Sequence, residues 1–309
     1  MQHPLVSVVV PSYNQGEYLS EALQSVLSQT FAGWECIIVN DGSTDQTAAV
    51  IAGWTAKDSR FRALDLANGG VSEARNEGIA IANGHYILPL DADDRIAPDY
   101  LEKLVSAMQA DPSLKMAYGP CYRFGAVTGK WELADYSYGR LIVSNMIHVT
   151  ALFLKSDFDA VGGYDVNMHE GLEDWEFWIH FLDDDAKVKY VDDAVFYYRI
   201  KDQSRMTGIT LAKRYRLLAY IYHKHPELYE PFINDPSKKI NIDYPYSFYL
   251  SALRYTPNDS RQIDRLRRYY HLKLKAEFTG RGFFGKKRLL CNWYRRRKLN
   301  LSLWDVLVR

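Results

Sequence analysis

The first half of the chain alternates short apolar runs with stretches in which apolar residues recur every three or four positions. Residues 5–10 read LVSVVV, a β-branched run that predicts a buried strand. Pro11 is expected to end it, with Ser12-Tyr13-Asn14-Gln15-Gly16 as a loop. Leu19, Leu23, Val26 and Leu27 then fall at helical spacing and predict a helix over residues 17–29. Residues 34–40 (WECIIVN) are a second strand, followed by a helix through Val50, Ile51 and Trp54 that Ser43 or Asp45 can cap. Residues 60–66 predict a weaker third strand and Asn68-Gly69-Gly70 a turn. A helix then opens at Ser72 and stops at Asn83-Gly84. A fourth run, YILPL at residues 86–90, leads into Asp91-Ala92-Asp93-Asp94, and Leu101, Leu104, Val105 and Met108 mark a helix beyond Pro98.

Four strand–helix units before residue 112 predict an α/β fold with a mainly parallel, Rossmann-like sheet and flanking helices. Such sheets bind ligands beyond the carboxyl ends of their strands. The loops expected there are residues 12–16, 41–45, 68–75 and 91–94. None contains G-x-G-x-x-G or a P-loop, which excludes a glycine-loop dinucleotide or ATP site.

The pattern changes after Pro112. Strands are expected over residues 116–124 and 130–133, around a turn at 127–129, and over 146–154. A short helix is expected at 156–161. A longer one at 173–182 carries Trp175, Trp178, Ile179 and Leu182 on one side, and two short strands lie within 187–200. From Thr210 onward the periodicity is helical, over residues 211–222, 243–255 and 260–275. The expected organisation is a catalytic domain at residues 1–205, with halves at 1–112 and 113–205, and a helical C-terminal extension at 206–309.

Composition adds three constraints. Formal net charge is zero over 309 residues, yet residues 261–309 hold 15 Lys and Arg against 3 Asp and Glu. Phe283, Phe284, Leu289, Leu290, Trp293 and Trp304 lie among those charges. Such a charge run is as readily a solvated face, while the interleaved apolar residues suit an anionic membrane surface better than nucleic acid, for which no recognition motif is present. Cys36, Cys121 and Cys291 form no disulfide or metal spacing and fit a reducing compartment. The N-terminal residues lack a basic region and are broken by Pro11, unlike a signal peptide. No apolar run reaches the ~18 residues that a membrane span requires. The expected location is cytoplasmic, with peripheral attachment to the inner face of a membrane. Aromatics make up 14% of the chain, with 23 Tyr, which suits core packing and also stacking on sugar rings.

The sharpest chemical signal is HYILPLDADDR at residues 85–95, which places Asp91, Asp93 and Asp94 within four positions. Carboxylates so close repel one another unless water or a cation takes up the charge. Taken alone, the stretch is equally an acidic turn that caps the next helix.

Four segments in order, VSVVVPSYN, IIVNDGSTD, NGGVSEARNEGI and ILPLDADD, resemble glycosyltransferase family 2, nucleotide-sugar transferases of the GT-A fold. A fifth, GGYDVNMHEGLEDWEFW, is similar to the family's GGFDE…ED segment, so the resemblance covers about residues 5–205. It implies an inverting, metal-dependent transfer from a UDP-sugar to a hydroxyl of a glycan or lipid-linked glycan. It implies that Pro11, Tyr13 and Asn14 form the loop beside the base, with Asp41 contacting the base and Arg75 near base and phosphates. It implies that Asp91, Ala92 and Asp93 are the D-x-D element, Asp91 reaching the ribose and Asp93 holding Mn²⁺ or Mg²⁺ on the diphosphate. Asp94 would orient this loop or bind the metal through water. Asp174 matches the general base, with Glu173 as its alternate. Many family members carry a His a few residues beyond the late Y-R pair. Here that pair is Tyr198-Arg199, and Lys201 stands where that His is sought. Lys201 and Arg205 are therefore candidate diphosphate contacts.

Each residue also has a plainer reading. Asp41 suits a turn or cap, Tyr13 plain packing, Arg75 a surface salt bridge with Glu73 or Glu77, and Glu173-Asp174 a helix N-terminus. His148 and His169 lie in the half expected to bind acceptor. Competing functions are a non-catalytic binder of UDP or glycan on the same scaffold, a nucleotidyltransferase, and a haloacid-dehalogenase-type phosphohydrolase. The nucleotidyltransferase lacks a basic triphosphate loop here. The phosphohydrolase would need its D-x-D near the chain's start, with Thr or Val after it.

Overall fold

A computed structural model describes residues 4–142, 144–201 and 211–229. The chain divides into two units, Met1–Ile209 and Thr210–Arg309. Arg205, Cys291, the helices expected over 243–255 and 260–275, and the basic tail lie outside the described residues.

The first unit begins as strand–helix alternation: β1 (Val6–Ser12), α1 (Leu19–Leu27), β2 (Trp34–Asp41), α2 (Thr47–Lys57), β3 (Phe61–Leu66), α3 (Val71–Ala80) and β4 (Tyr86–Pro89). It continues with β5 (Arg95–Ile96), α4 (Tyr100–Ala110), β6 (Leu114–Tyr118), β7 (Cys121–Gly125), β8 (Gly129–Trp131) and α5 (Tyr138–Leu141). It ends with β9 (Leu152–Leu154), α6 (Lys155–Val161), α7 (Glu173–Phe181), β10 (Lys187–Tyr190) and β11 (Phe196–Ile200). The second unit contributes α8 (Leu211–Lys224), within the helical stretch expected there.

Seven strands form one sheet in the order β10-β6-β9-β4-β1-β2-β3. β1 is central and pairs in parallel with both β2 and β4, and β2 with β3. All residues of β1 and β2 are buried, as expected for strands covered by helices on both faces. Fully burying a Val or Ile side chain contributes about 1.5–3 kcal/mol before entropy is counted, so these two strands anchor the core. β9 runs antiparallel to β4 and β6.

A second sheet, β5-β11-β7-β8, has no counterpart in the strand–helix pattern. The chain enters it directly from β4. Leu90 to Asp94 is the crossing, so the acidic motif sits where one sheet hands over to the other.

Three expectations are corrected. Pro11 lies inside β1, opposite Val39 of β2. β4 pairs no further than Val9, so the missing N–H of Pro11 leaves no ladder bond broken. The strand expected over 116–124 is split at Gly119-Pro120 into β6 and β7, which belong to different sheets. A Cβ at Gly119 would lie 1.9 Å from the Ala194 carbonyl oxygen, so this close approach requires glycine. The strand expected over 146–154 shrinks to Leu152–Leu154. Met146, Ile147 and Val149 are buried without joining a ladder.

Helix α7 is also more deeply set than a one-sided helix. Trp175, Trp178 and Ile179 are buried, and so are Phe177, Phe181 and Glu176.

Helix α3 rests directly on the central strands. A Cβ at Gly78 would come within 2.6 Å of Val9 Cγ1 and 2.8 Å of Val39 Cγ2, both stiff β-branched side chains. Overpacking of this kind costs about 1–3 kcal/mol, against roughly 1 kcal/mol gained from alanine's helix propensity. Gly78→Ala is therefore expected to lower the thermal midpoint by a few degrees in calorimetry, whereas a freely accommodated methyl would raise it.

Candidate active site

The carboxyl ends of β1, β2 and β4, the turn before α3 and the end of β11 enclose a cleft of about 600 Å³. That size suits a nucleotide-sized ligand. Pro11, Tyr13, Asp41, Arg75, Asp91, Ala92, Asp93 and Lys201 all line it, although they span nearly two hundred positions of sequence. Asn14, Glu173 and Asp174 are not part of its wall.

The loop after β1 is fastened to the loop after β2. Asn14 adopts a left-handed conformation at φ 52°, and its Oδ1 accepts the Thr44 N–H at 2.8 Å. Its own N–H donates to Ser43 Oγ at 3.0 Å. Asp45 accepts the Gly16 N–H at 3.0 Å and the Thr47 N–H at 2.9 Å. Asn14 thus clasps two loops, which leaves the neighbouring Tyr13 ring 48% exposed at the cleft.

Asp41 is buried and accepts the Gly69 N–H at 2.8 Å and the Gly70 N–H at 3.0 Å. Gly70 has φ +92°, a conformation glycine adopts without steric cost. Asp41 therefore fixes the turn that opens α3 while still bordering the cleft.

Arg75 is only 1% exposed. The plainer alternative, a surface pairing with Glu73 or Glu77, does not form; two long-range ion pairs take its place. Nη2 lies 2.7 Å from Asp91 Oδ1 and Nη1 lies 3.2 Å from Glu173 Oε1. The Tyr164 ring centroid is 5.2 Å from its guanidinium carbon. Burial alone would favour loss of its proton, but Asp91 and then Glu173 more than offset this and hold it charged.

The three aspartates of the motif separate into different environments. Asp91 pairs with Arg75, and Asp93 Oδ2 pairs with Lys201 Nζ at 2.6 Å. Asp94 is buried, and its Oδ1 accepts the Arg199 N–H at 2.7 Å. Burial, then Asp93 and Asp91, push its pKa well above the carboxylate range. Asp94 thus docks the motif onto β11 and does not reach the cleft.

The other oxygens, Asp91 Oδ2 and Asp93 Oδ1, have no protein partner among the described residues. Mg²⁺ or Mn²⁺ fits this set, since Mg²⁺ is commonly held by one or two carboxylates plus substrate phosphates.

Asp174 stands at the first turn of α7, next to Glu173, which Arg75 links to Asp91 through two ion pairs. Leu172, just before it, takes φ 62°, a strained conformation for a branched side chain. The Asn145 amide donates to Asp174 Oδ2 at 2.9 Å. Burial first, then the Glu173 charge, push the Asp174 pKa up to about 6, although Arg75 opposes this. A carboxylate with that pKa is matched to proton transfer near neutrality. Glu173 is buried at 3% exposure and engaged with Arg75, whereas Asp174 meets the Asn145 amide.

Of the two histidines singled out in the sequence, His169 lines the cleft. His148 stacks on Phe196, its Nε2 lies 2.9 Å from the Gly119 carbonyl, and burial pushes its pKa down to about 4. It is half-buried and packs on the core residue Phe196. Gln15, Asn68 and Tyr198 also line the cleft, and Asn145 touches the candidate base. Gln15, Asn68 and Tyr198 fall in or beside the quoted motifs, whereas Asn145 lies apart from all of them.

Comparisons with known proteins bear on the family and the fold. The family model "Glycosyl transferase family 2" matches residues 7–164, just over half of the chain. Glycosyltransferase GlyG of Streptococcus pneumoniae is 37% identical over 128 residues, covering 41% of this chain and 42% of that protein. Chondroitin synthase of Pasteurella multocida is 38% identical over 115 residues, covering 37% of this chain and 12% of that protein. The matched region thus spans less than half the length of these relatives. Among solved structures, S. aureus TarS 1-349 in complex with UDP-GlcNAc superposes with a TM-score of 0.60 at 19% identity, covering 85% of this chain and 80% of that one. Mannosyltransferase PcManGT from Pyrobaculum calidifontis, in complex with GDP-Man and Mn²⁺, gives 0.60 at 15% identity, covering 99% and 84%. These neighbours share the GT-A fold, and the chain belongs to glycosyltransferase family 2.

Proposed function

We propose that the chain moves a sugar, with inversion, from a UDP-sugar to a hydroxyl of a glycan or lipid-linked glycan. The observation that carries this reading is the buried Arg75. It ties the D-x-D carboxylate Asp91 to the α7 terminus bearing Asp174. Donor loop and candidate base are thereby held in one rigid frame. A glycosyltransferase of this family whose neighbours were solved with UDP-GlcNAc and with GDP-Man supports a nucleotide-sugar donor.

The chain's residues divide the work. The exposed Tyr13 ring packs against the base, Asp41 borders the base pocket, and Asp91 accepts from the ribose. Asp91 and Asp93 offer their remaining oxygens to Mn²⁺ or Mg²⁺. When bound, that ion supplies positive charge to a diphosphate leaving group, which becomes more negative as the sugar departs. Lys201 adds cationic charge at the cleft, and Arg205, outside the described residues, is a further candidate diphosphate contact. Asp174, oriented by Asn145, takes the proton from the acceptor hydroxyl as its oxygen attacks the anomeric carbon from the face opposite the diphosphate. One base and no covalent intermediate give inversion. The basic, aromatic-bearing tail supports a position at an anionic membrane surface, where a lipid-linked acceptor would be found. No described helix is long and apolar enough to cross a membrane.

Two substitutions separate binding from chemistry. Asp93→Asn is expected to remove the difference in UDP affinity between Mn²⁺ and EDTA in titration calorimetry, and an unchanged difference would falsify the metal role. Asp174→Asn is expected to keep UDP affinity and to lower kcat by about 10²–10⁴. The base must be deprotonated to act, so the parent kcat should fall as pH drops through about 6. The variant should lose that acid limb, and a variant with near-parent turnover places the base elsewhere.

A further inference from the structure

Lys201 follows the last residue of β11 and is aimed by two bonds that do not involve its own side chain. The Arg199 N–H donates to Asp94 Oδ1 at 2.7 Å, and Arg199 Nε donates to the Asp93 carbonyl at 2.8 Å. From that anchor the Lys201 ammonium lies 2.6 Å from Asp93 Oδ2 and 2.9 Å from Gln15 Oε1. It also sits 4.2 Å from the centroid of the Tyr18 ring. Its side chain is 17% exposed and that of Asp93 27%, so the pair is partly shielded from water but open to the cleft.

A purely structural ion pair would tie β11 to the acidic loop. Arg199 already makes that tie through two bonds. Lys201 instead places a unit of positive charge on Asp93, one of the two motif aspartates placed to hold a divalent ion. A second cation reaching the free oxygen of Asp93 meets an ammonium a few ångströms away, and like charges at that range repel by several times thermal energy near a protein surface. A diphosphate entering the cleft offers more negative charge than Asp93. The lysine stem is flexible, and its ammonium is a point charge with rotatable donors.

We propose that Lys201 is an exchangeable internal counter-ion of Asp93. In the nucleotide-free protein it occupies Asp93 and weakens metal binding. When a nucleoside diphosphate enters, the ammonium moves to a phosphate oxygen and frees Asp93 for the metal. No bond is made or broken in the exchange. Metal and nucleotide then favour each other's binding, and reciprocally so. The inference rests on the nucleotide-sugar reading of the cleft.

The test is Mn²⁺ binding to the full chain, followed by electron paramagnetic resonance of free Mn²⁺, with UDP as the nucleotide probe. In the parent protein, saturating UDP is expected to tighten Mn²⁺ at least tenfold. Lys201→Gln is expected to tighten Mn²⁺ at least fivefold without UDP and to weaken metal-free UDP binding at least fivefold. Lys201→Arg keeps the charge and should retain the parent's weak Mn²⁺ affinity. If Lys201→Gln does not fold, Lys201→Met keeps a long unbranched side chain without the charge and carries the same expectation. Equal Mn²⁺ affinity in the parent and the neutral variants, with UDP binding intact, overturns the exchange while leaving the donor reading standing. A parent protein that binds UDP under neither condition removes the donor reading and the exchange together.

Discussion

A guanidinium taken out of water must be met by negative charge, and Arg75 is met on two sides. That requirement organises the part of the first unit that surrounds the candidate site. Arg75 leaves α3, which rests on the central strands through Gly78, and its two ion pairs reach the end of β4 and the start of α7. Removing either carboxylate would strand a buried charge, so neither element can drift from the other. Leu172, at φ 62°, precedes Glu173, and Gly78 lies one turn of α3 beyond Arg75 against Val9 and Val39.

The acidic motif is a junction as much as a ligand set. Between β4 of the seven-stranded sheet and β5 of the four-stranded one, the chain crosses in five residues. Asp94, buried and shifted toward its protonated form, accepts from the β11 backbone and seals this crossing. Asp91 and Asp93 are then left at the rim with one oxygen each engaged by an internal cation and one facing the cleft. Three adjacent carboxylates coexist because one is driven toward neutrality and the other two are paired.

The same electrostatic frame tunes Asp174. It shares the α7 terminus with Glu173, whose charge is largely answered by Arg75. Burial and the remaining influence of Glu173 lift the Asp174 pKa to about 6, and the Asn145 amide fixes one of its oxygens. Neighbouring acids thus acquire different roles, Glu173 as counter-ion and Asp174 as the proton acceptor candidate.

The amino-acid sequence by itself determined the strand–helix units up to residue 112, the loops that end them, and the positions of Tyr13, Asp41, Asp91 and Asp93. These are local properties: periodicity, β-branched runs and turn residues act within a few positions, and a parallel sheet then forces the loops to one end. It did not determine the second sheet, the reversal of β9, or the break at Gly119-Pro120. Nor did it decide that Arg75 would turn inward to a residue 98 positions away instead of pairing with Glu73 or Glu77. Lys201 was visible as a departure from an expected histidine, but its seat on Asp93 and Gln15, the latter 186 positions distant, was not. Which charge meets which is settled only when the chain closes, because ion pairing depends on burial and distance, and both are properties of the tertiary structure.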